Sequence, residues 1–349
     1  MALQGTAAST TTRAAGGDVT MDGGFDWVAT LLAAWLIGGI FLDGWAHNHI
    51  PSLETIFTPW HAVLYSGYAA NGIFLAAMLV ARHKPGQSWL VALPEGYFIS
   101  FVGAAIFFVG GVLDLTGHYL FGIEKSIEGL LSPTHLMLAL GATLIVTGPL
   151  RAAVARAQAV PSFMGLLPAV LSLTAVLALL MFFTQYSQPI VNSLADKQTP
   201  EGLRGLGIYA VLLQTVFFMG VALYALRRWR LPFGTFAVIV GLSDALANTQ
   251  ARPVMFVPVL IVGAVTGLLI DLAYLWLRPT LARRAALYTF AFLAPVITFA
   301  IYFAVLADVN GGLAWSGYLV AGSIVQAGLV GLLLSLLIAP PISRAAADA

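Results

Sequence analysis

Long apolar runs separated by short polar breaks organise this chain from Phe25 almost to its end. Each run is about 20 residues long, enough for a helix to cross a hydrocarbon core of roughly 30 Å. The predicted spans are 26–46, 58–82, 96–118, 132–152, 161–184, 205–227, 232–249, 253–277, 285–307 and 313–338. The seventh is the shortest and contains Asp244. No segment alternates with period two, as a barrel strand must, and a backbone in lipid has to satisfy its own hydrogen bonds. The pattern therefore predicts an all-α fold, a polytopic transmembrane bundle of about ten helices.

Composition strengthens this picture. Of 349 residues, 60% are hydrophobic and 9% charged, with a mean hydropathy of +0.91; soluble domains carry about 25% charged residues. Sixteen Lys and Arg against fifteen Asp and Glu leave no basic surplus for a nucleic-acid partner. With no cysteine there is no disulfide, no iron–sulfur cluster and no thiolate ligand or nucleophile. Residues 1–25 form a polar tail rich in Thr, Ala, Gly and Asp, without a signal-peptide pattern, and are expected to be disordered. Placing both termini in the cytoplasm puts Arg13, Arg82, Lys84, Arg151, Arg156, Arg227, Arg228, Arg230, Arg278, Arg283, Arg284 and Arg344 on that side. Lys125, Lys197, Arg204 and Arg252 fall on the other. This split of 12 against 4 follows the positive-inside rule. It predicts a multi-pass cell-membrane protein.

Five of the six histidines crowd the outward ends of the first four spans, while His83 sits in the loop "ARHKPG" beside Arg82 and Lys84. A repeat organises the five. The first copy, "DGWAHNHIPSLETIFTPWH", contains Asp43, His47, Glu54, Thr58, Pro59 and His61. The second, "DLTGHYLFGIEKSIEGLLSPTH", contains Asp114, His118, Glu128, Ser132, Pro133 and His135. Each copy ends one helix with Asp-x3-His and opens the next with Thr/Ser-Pro-x-His. Positions i and i+4 share a helix face, so Asp43 projects with His47 and Asp114 with His118. Thr58 and Ser132 are natural N-caps, each followed by proline at the favoured first position. His61 and His135 then lie in the first helical turn, where the positive end of the macrodipole disfavours imidazolium. A neutral imidazole is what a metal requires.

Each hairpin is thus a candidate metal site: Asp43, His47 and His61 in the first, Asp114, His118 and His135 in the second. Three ligands leave coordination positions open, as in catalytic sites. Two imidazoles and a carboxylate suit copper, iron or zinc, and ligand type alone does not choose among them. Glu54 and Glu128 are candidates for holding the histidines from behind, with helix capping or solvation in the loop as the equal alternative. His49, two residues past His47, is a spare ligand if the helix frays.

These residues resemble the C subunit of the copper membrane monooxygenases, the particulate methane monooxygenase and ammonia monooxygenase family. The likeness rests on "DGWAH…FTPWH" followed by "DLTGH…EGLLSPTH" and covers roughly residues 26–150. It implies one copper site at Asp43, His47 and His61 and another at Asp114, His118 and His135. It further implies dioxygen-dependent oxidation of a small hydrocarbon or ammonia, within a complex of partner membrane subunits that repeats as a homo-oligomer. The chain departs from the family in having Asp114 where Asn is typical, in longer outer loops, and in six additional spans after residue 150. The expected organisation is a tail (1–25), a four-helix unit bearing both sites (26–152) and a six-helix membrane region (153–349).

The later spans carry fewer polar signals. "SDALANTQARPVMF" places Asp244, Asn248 and Arg252 at an outer helix end, where Arg252 is a natural partner for Asp244. Asp271, inside the eighth span, is expected to pair with Arg278 or to mark a polar cavity. Two other functional classes stay open beside the oxygenase subunit: a metal-handling protein (a copper receptor or transporter), and a structural subunit whose metals clamp helices. Ligands crowded at one face argue against transport, which usually places its site near the bilayer midplane.

Overall fold

The computed structural model describes residues 19–50, 58–122, 127–156, 162–197 and 199–339. The described residues form an all-α bundle, and nine of its helical stretches are long and apolar enough to cross a membrane. The four N-terminal stretches are α1 (Val19–His49), α2 (Pro59–Arg82), α3 (Phe98–Phe121) and the pair α5 (Pro133–Val146) and α6 (Gly148–Ala155), with the short α4 (Ile127–Leu131) before them. There follow α7 (Phe163–Phe183), α8 (Pro189–Asn192), α9 (Arg204–Arg228), α10 (Thr235–Asn248), α11 (Phe256–Leu277), α12 (Arg284–Val309) and α13 (Gly317–Ile338). Helix α1 starts at Val19, so the predicted polar tail ends earlier than residue 25; residues 1–18 lie outside the described residues. Pro149 has no N–H to continue the ladder, and the helix accordingly breaks at Thr147 between α5 and α6.

The bundle turns large apolar side chains outward, among them Leu31, Ile73, Val80, Trp276 and Leu337, each at least 65% exposed. Such a surface is suited to lipid rather than water. Inside, one apolar cluster joins α1, α2, α3 and α5 to Ala178, Leu179 and Phe182 of α7. A second joins Leu166, Leu173 and Leu177 of the same α7 to α9, α10, α11 and α12. Helix α7 is therefore core to both halves, and the 26–152 and 153–349 regions share one packed interior.

The seventh predicted span, 232–249, is a helix of only 14 residues, about 21 Å long at 1.5 Å per residue. It nonetheless runs antiparallel along almost the whole of α11. Gly241 abuts Ala264 and Gly267 abuts the Phe236 carbonyl and Ala237, while Asn248 Oδ1 accepts from the amide of Met255, 2.6 Å away. At the opposite end Asp271 caps α10, its carboxylate accepting from the amides of Phe236 (3.2 Å) and Ala237 (3.1 Å). Asp271 is 1% exposed and among the described residues makes no ion pair with Arg278, contrary to the sequence expectation. A helix start buried inside the bundle, as Thr235 and Phe236 are, leaves orphan amides that water cannot reach. The carboxylate supplies their acceptors.

Residues 185–197 fold back onto the chain, with the amide of Ala314 donating to the Ala195 carbonyl (3.0 Å) and Lys197 bonding the Gly311 carbonyl. The end of the bundle away from the histidine repeats is tied by Asp26, which accepts from Tyr97 Oη at 2.6 Å and pairs with Arg156. Arg151 beside them bonds the carbonyls of Gly96 (2.7 Å) and Leu144 (2.9 Å).

Candidate metal centre

Both repeat copies fold as antiparallel hairpins, and glycine sets how closely their helices approach. A Cβ on Gly39 would lie 2.6 Å from the Leu64 Cα, and one on Gly67 would lie 3.0 Å from the Leu36 Cα. In the second hairpin Gly110 packs against Met137 and Leu138, and Gly141 against Phe107 and the Gly103 carbonyl. The offsets match: the first glycine stands four residues before the aspartate, the facing leucine three after the histidine, and the second glycine six after it. The shared design thus extends well below the polar residues. The sequence reading missed this signal, although it is visible once the two copies are aligned on their histidines.

This packing brings the end of one helix beside the start of the next. In the first hairpin Asp43 faces both imidazoles: His47 Nε2 is 3.7 Å from Oδ2, and His61 Nε2 is 3.5 Å from Oδ1. One ligand atom from each of Asp43, His47 and His61 lies within 4.8 Å of the others. Two ligands each about 2.1 Å from an ion at a tetrahedral angle sit about 3.4 Å apart, so these separations suit a shared metal. Thr58 accepts the His61 amide (3.2 Å) as N-cap, and its Oγ1 also lies 2.9 Å from His61 Nδ1. In the tautomer that donates Nδ1–H to Thr58, the Nε2 lone pair faces Asp43, as ligation requires. Asp43 Oδ1 is buried and has no hydrogen-bond partner. A buried, unmet carboxylate oxygen calls for a cation or proton, and the residues fit a metal on that ground.

The second hairpin keeps the residues but not the full ligand geometry: among the described residues only the first trio brings one ligand atom from each member within 4.8 Å of the others, and His135 turns toward Asp114 the same Nδ1 that contacts Ser132. His118 Nε2 is 3.2 Å from Asp114 Oδ2, and His135 Nδ1 is 3.3 Å from Oδ1. Ser132 accepts the His135 amide (3.3 Å) and lies 2.7 Å from its Nδ1. Thr134, standing where the first copy has Trp60, donates to Asp114 Oδ1 at 2.8 Å. That oxygen is therefore partly satisfied before any ion arrives.

The hairpins also converge. Asp43 lies within Coulombic range of Asp114, and His47 and His61 lie within range of Asp114, His118 and His135. Among the described residues the ion-pair partners of both carboxylates are histidines, never Lys or Arg. Two facing acids compensated only by imidazoles favour added positive charge. Tyr65 packs between the copies: its ring stacks on His61 (centroids 6.2 Å apart), and its hydroxyl would meet a Cβ on Gly111 at 3.7 Å.

No family model, curated protein or solved structure matches this chain. The site is therefore interpreted from its own chemistry. His49 is turned away from the first trio. It stacks on Trp45, and its ring nitrogens lie 2.8 Å from the Trp45 carbonyl and 2.9 Å from the Ala251 carbonyl. Helix α1 continues through His49 rather than fraying, and both nitrogens are engaged. Glu128 is exposed on α4, and Glu54 lies outside the described residues. Behind Asp43, Asn48 donates to Gln185 (2.7 Å) and Gln250 (2.9 Å), while Gln250 donates to the Phe41 carbonyl (3.0 Å). This amide cluster fastens the last turn of α1 to the far half of the molecule. Nothing in the local pattern of Asn48 could have announced partners so distant in sequence.

Proposed function

We propose that this membrane-spanning helical protein holds copper at Asp43, His47 and His61 and at Asp114, His118 and His135. We further propose that it serves as a subunit of an enzyme related to the methane and ammonia monooxygenases. The observation that carries the reading is the buried Asp43 Oδ1, which has no hydrogen-bond partner and lies 3.5 Å from His61 Nε2. Bound copper would supply the reaction with dioxygen, which side chains cannot perform. The chain's own residues contribute the rest. Thr58 and Ser132 hold His61 and His135 in orientation, the aspartates balance the charge of the ion, and apolar helix surfaces admit a small hydrocarbon or ammonia from the membrane side.

The charge split supports cytoplasmic termini and an extracytoplasmic site, because both histidine trios lie at the bundle end opposite Arg82, Arg151 and Arg156. Partner membrane subunits and homo-oligomerisation accompany this reading through the family resemblance. Copper analysis and electron paramagnetic resonance of the purified chain, alongside His61→Ala and His135→Ala, test it. Each variant should lose one copper signal; unchanged stoichiometry in both would refute the assignment. Oxygen uptake with reductant and a small hydrocarbon or ammonia, measured with the partner subunits present, separates an oxygenase from a copper receptor. The exposure of the His47 side chain, 39%, is the feature that favours a receptor, since an exchanging ion needs an open ligand.

A further inference from the structure

The C-terminal half lines a second cavity with polar groups, formed by residues other than the two histidine trios. Helices α7 to α12 surround a cavity of about 580 Å³. Most of its polar lining is already committed to nearby backbone: Ser243 donates to Ile239, Thr266 to Val262 and Thr298 to Ala294, each within its own helix, while Tyr302 donates to the Pro189 carbonyl at 3.0 Å.

Gln214 and Asp244 are among the lining groups that are not so committed. Gln214 is 8% exposed, and its Nε2 has no hydrogen-bond partner. The Asp244 carboxylate, set against Gly263 on α11, has no hydrogen bond or ion pair among the described residues. Arg252 lines the same cavity but is exposed and makes no ion pair with Asp244 among the described residues. The structure thus replaces the pairing expected from sequence with an open acid.

A half-buried carboxylate within a helical bundle, left without a partner, is expensive, and an unpaired amide donor adds to the expense. A ligand that meets both must bring a hydrogen-bond-donating cation for Asp244 and an oxygen acceptor for Gln214. Phe218, Phe299 and Tyr302 in the wall favour a cation that carries an apolar body. We infer that this cavity binds a small organic ammonium compound bearing an oxygen acceptor, its ammonium on Asp244 and its oxygen on Gln214. The inference is independent of the metal centre.

The experiment is calorimetric titration of the purified full-length chain in detergent, after treatment with a chelator so that no amine can bind through a metal. The probes are tyramine, ethanolamine and butylamine, with 4-ethylphenol as the uncharged counterpart of tyramine. Tyramine should bind saturably, and 4-ethylphenol at least about tenfold more weakly. Asp244→Asn should weaken tyramine by at least about tenfold, and Gln214→Leu by about threefold. The inference is overturned if neither tyramine nor ethanolamine binds saturably to folded protein, if butylamine, which lacks the oxygen, or 4-ethylphenol binds as well as tyramine, or if folded Asp244→Asn keeps its affinity. Should that variant fail to fold, the comparison of tyramine with 4-ethylphenol on the unaltered chain decides alone. Repeating the titration in phosphatidylcholine vesicles with and without phosphatidylethanolamine identifies the source. Competition by the second lipid marks an ethanolamine headgroup, and unchanged affinity marks a free amine.

Discussion

The two histidine hairpins share helix ends, caps and glycine contacts, yet they present their carboxylates differently. In the first, Trp60 follows the helix-starting proline and Asp43 Oδ1 remains unmet. In the second, Thr134 takes that place and donates to Asp114 Oδ1 at 2.8 Å. The exposure of the histidines also reverses. His47 at the end of α1 is the open member of the first pair, whereas His135 at the start of α5 is the open member of the second. The same scaffold thus leaves one oxygen of the first carboxylate without a hydrogen-bond partner, while the second carboxylate is partly satisfied by a hydroxyl.

That contrast can be broken most forcefully at the ligands. Asp43→Ala should reduce copper affinity of the first site by at least about 100-fold and leave the second site filled, as read by metal titration; loss of both ions together would mean a single shared centre. Next comes the scaffold. Gly39→Val forces a side chain onto the Leu64 backbone and should lower stability by about 1–3 kcal/mol in thermal unfolding while emptying the first site. An unaltered melting temperature with full occupancy would show that the close approach is dispensable.

Smaller effects sharpen the comparison. Thr134→Val removes the hydroxyl that orients Asp114 and should weaken the second site by about tenfold, with no change at the first. Equal loss at both would contradict their separate tuning. His49→Phe should change copper affinity by no more than about twofold, because both imidazole nitrogens already face carbonyl oxygens. A larger loss, read in the same titration, would return His49 to the ligand set.

Much of this was legible along the chain because the relevant physics is local. Lipid leaves a spanning segment little choice but to be a helix, so the apolar runs marked the spans to within a few residues, from Pro59–Arg82 to Gly317–Ile338. The i, i+4 spacing of Asp43 and His47 and the Thr58 cap are equally local, and the structure brings those residues together. What escaped depends on partners far away in sequence. Asp271 could not be read as a cap without knowing that the start of α10 packs beside it. The hydroxyl of Thr134 acquires meaning only when α3 delivers Asp114, and the convergence of the two hairpins is a property of tertiary packing.

The capping of α10 by Asp271 bears on how the chain is made. When α10 leaves the ribosome, its N-terminal amides have no acceptor, and the residue that supplies one is still about 35 codons away. The two segments are therefore expected to enter the bilayer as a pair. A glycosylation acceptor in a lengthened α10–α11 loop should stay unmodified in chains truncated before α11 and be modified once α11 is present; Asp271→Leu should leave the longer chain unmodified as well.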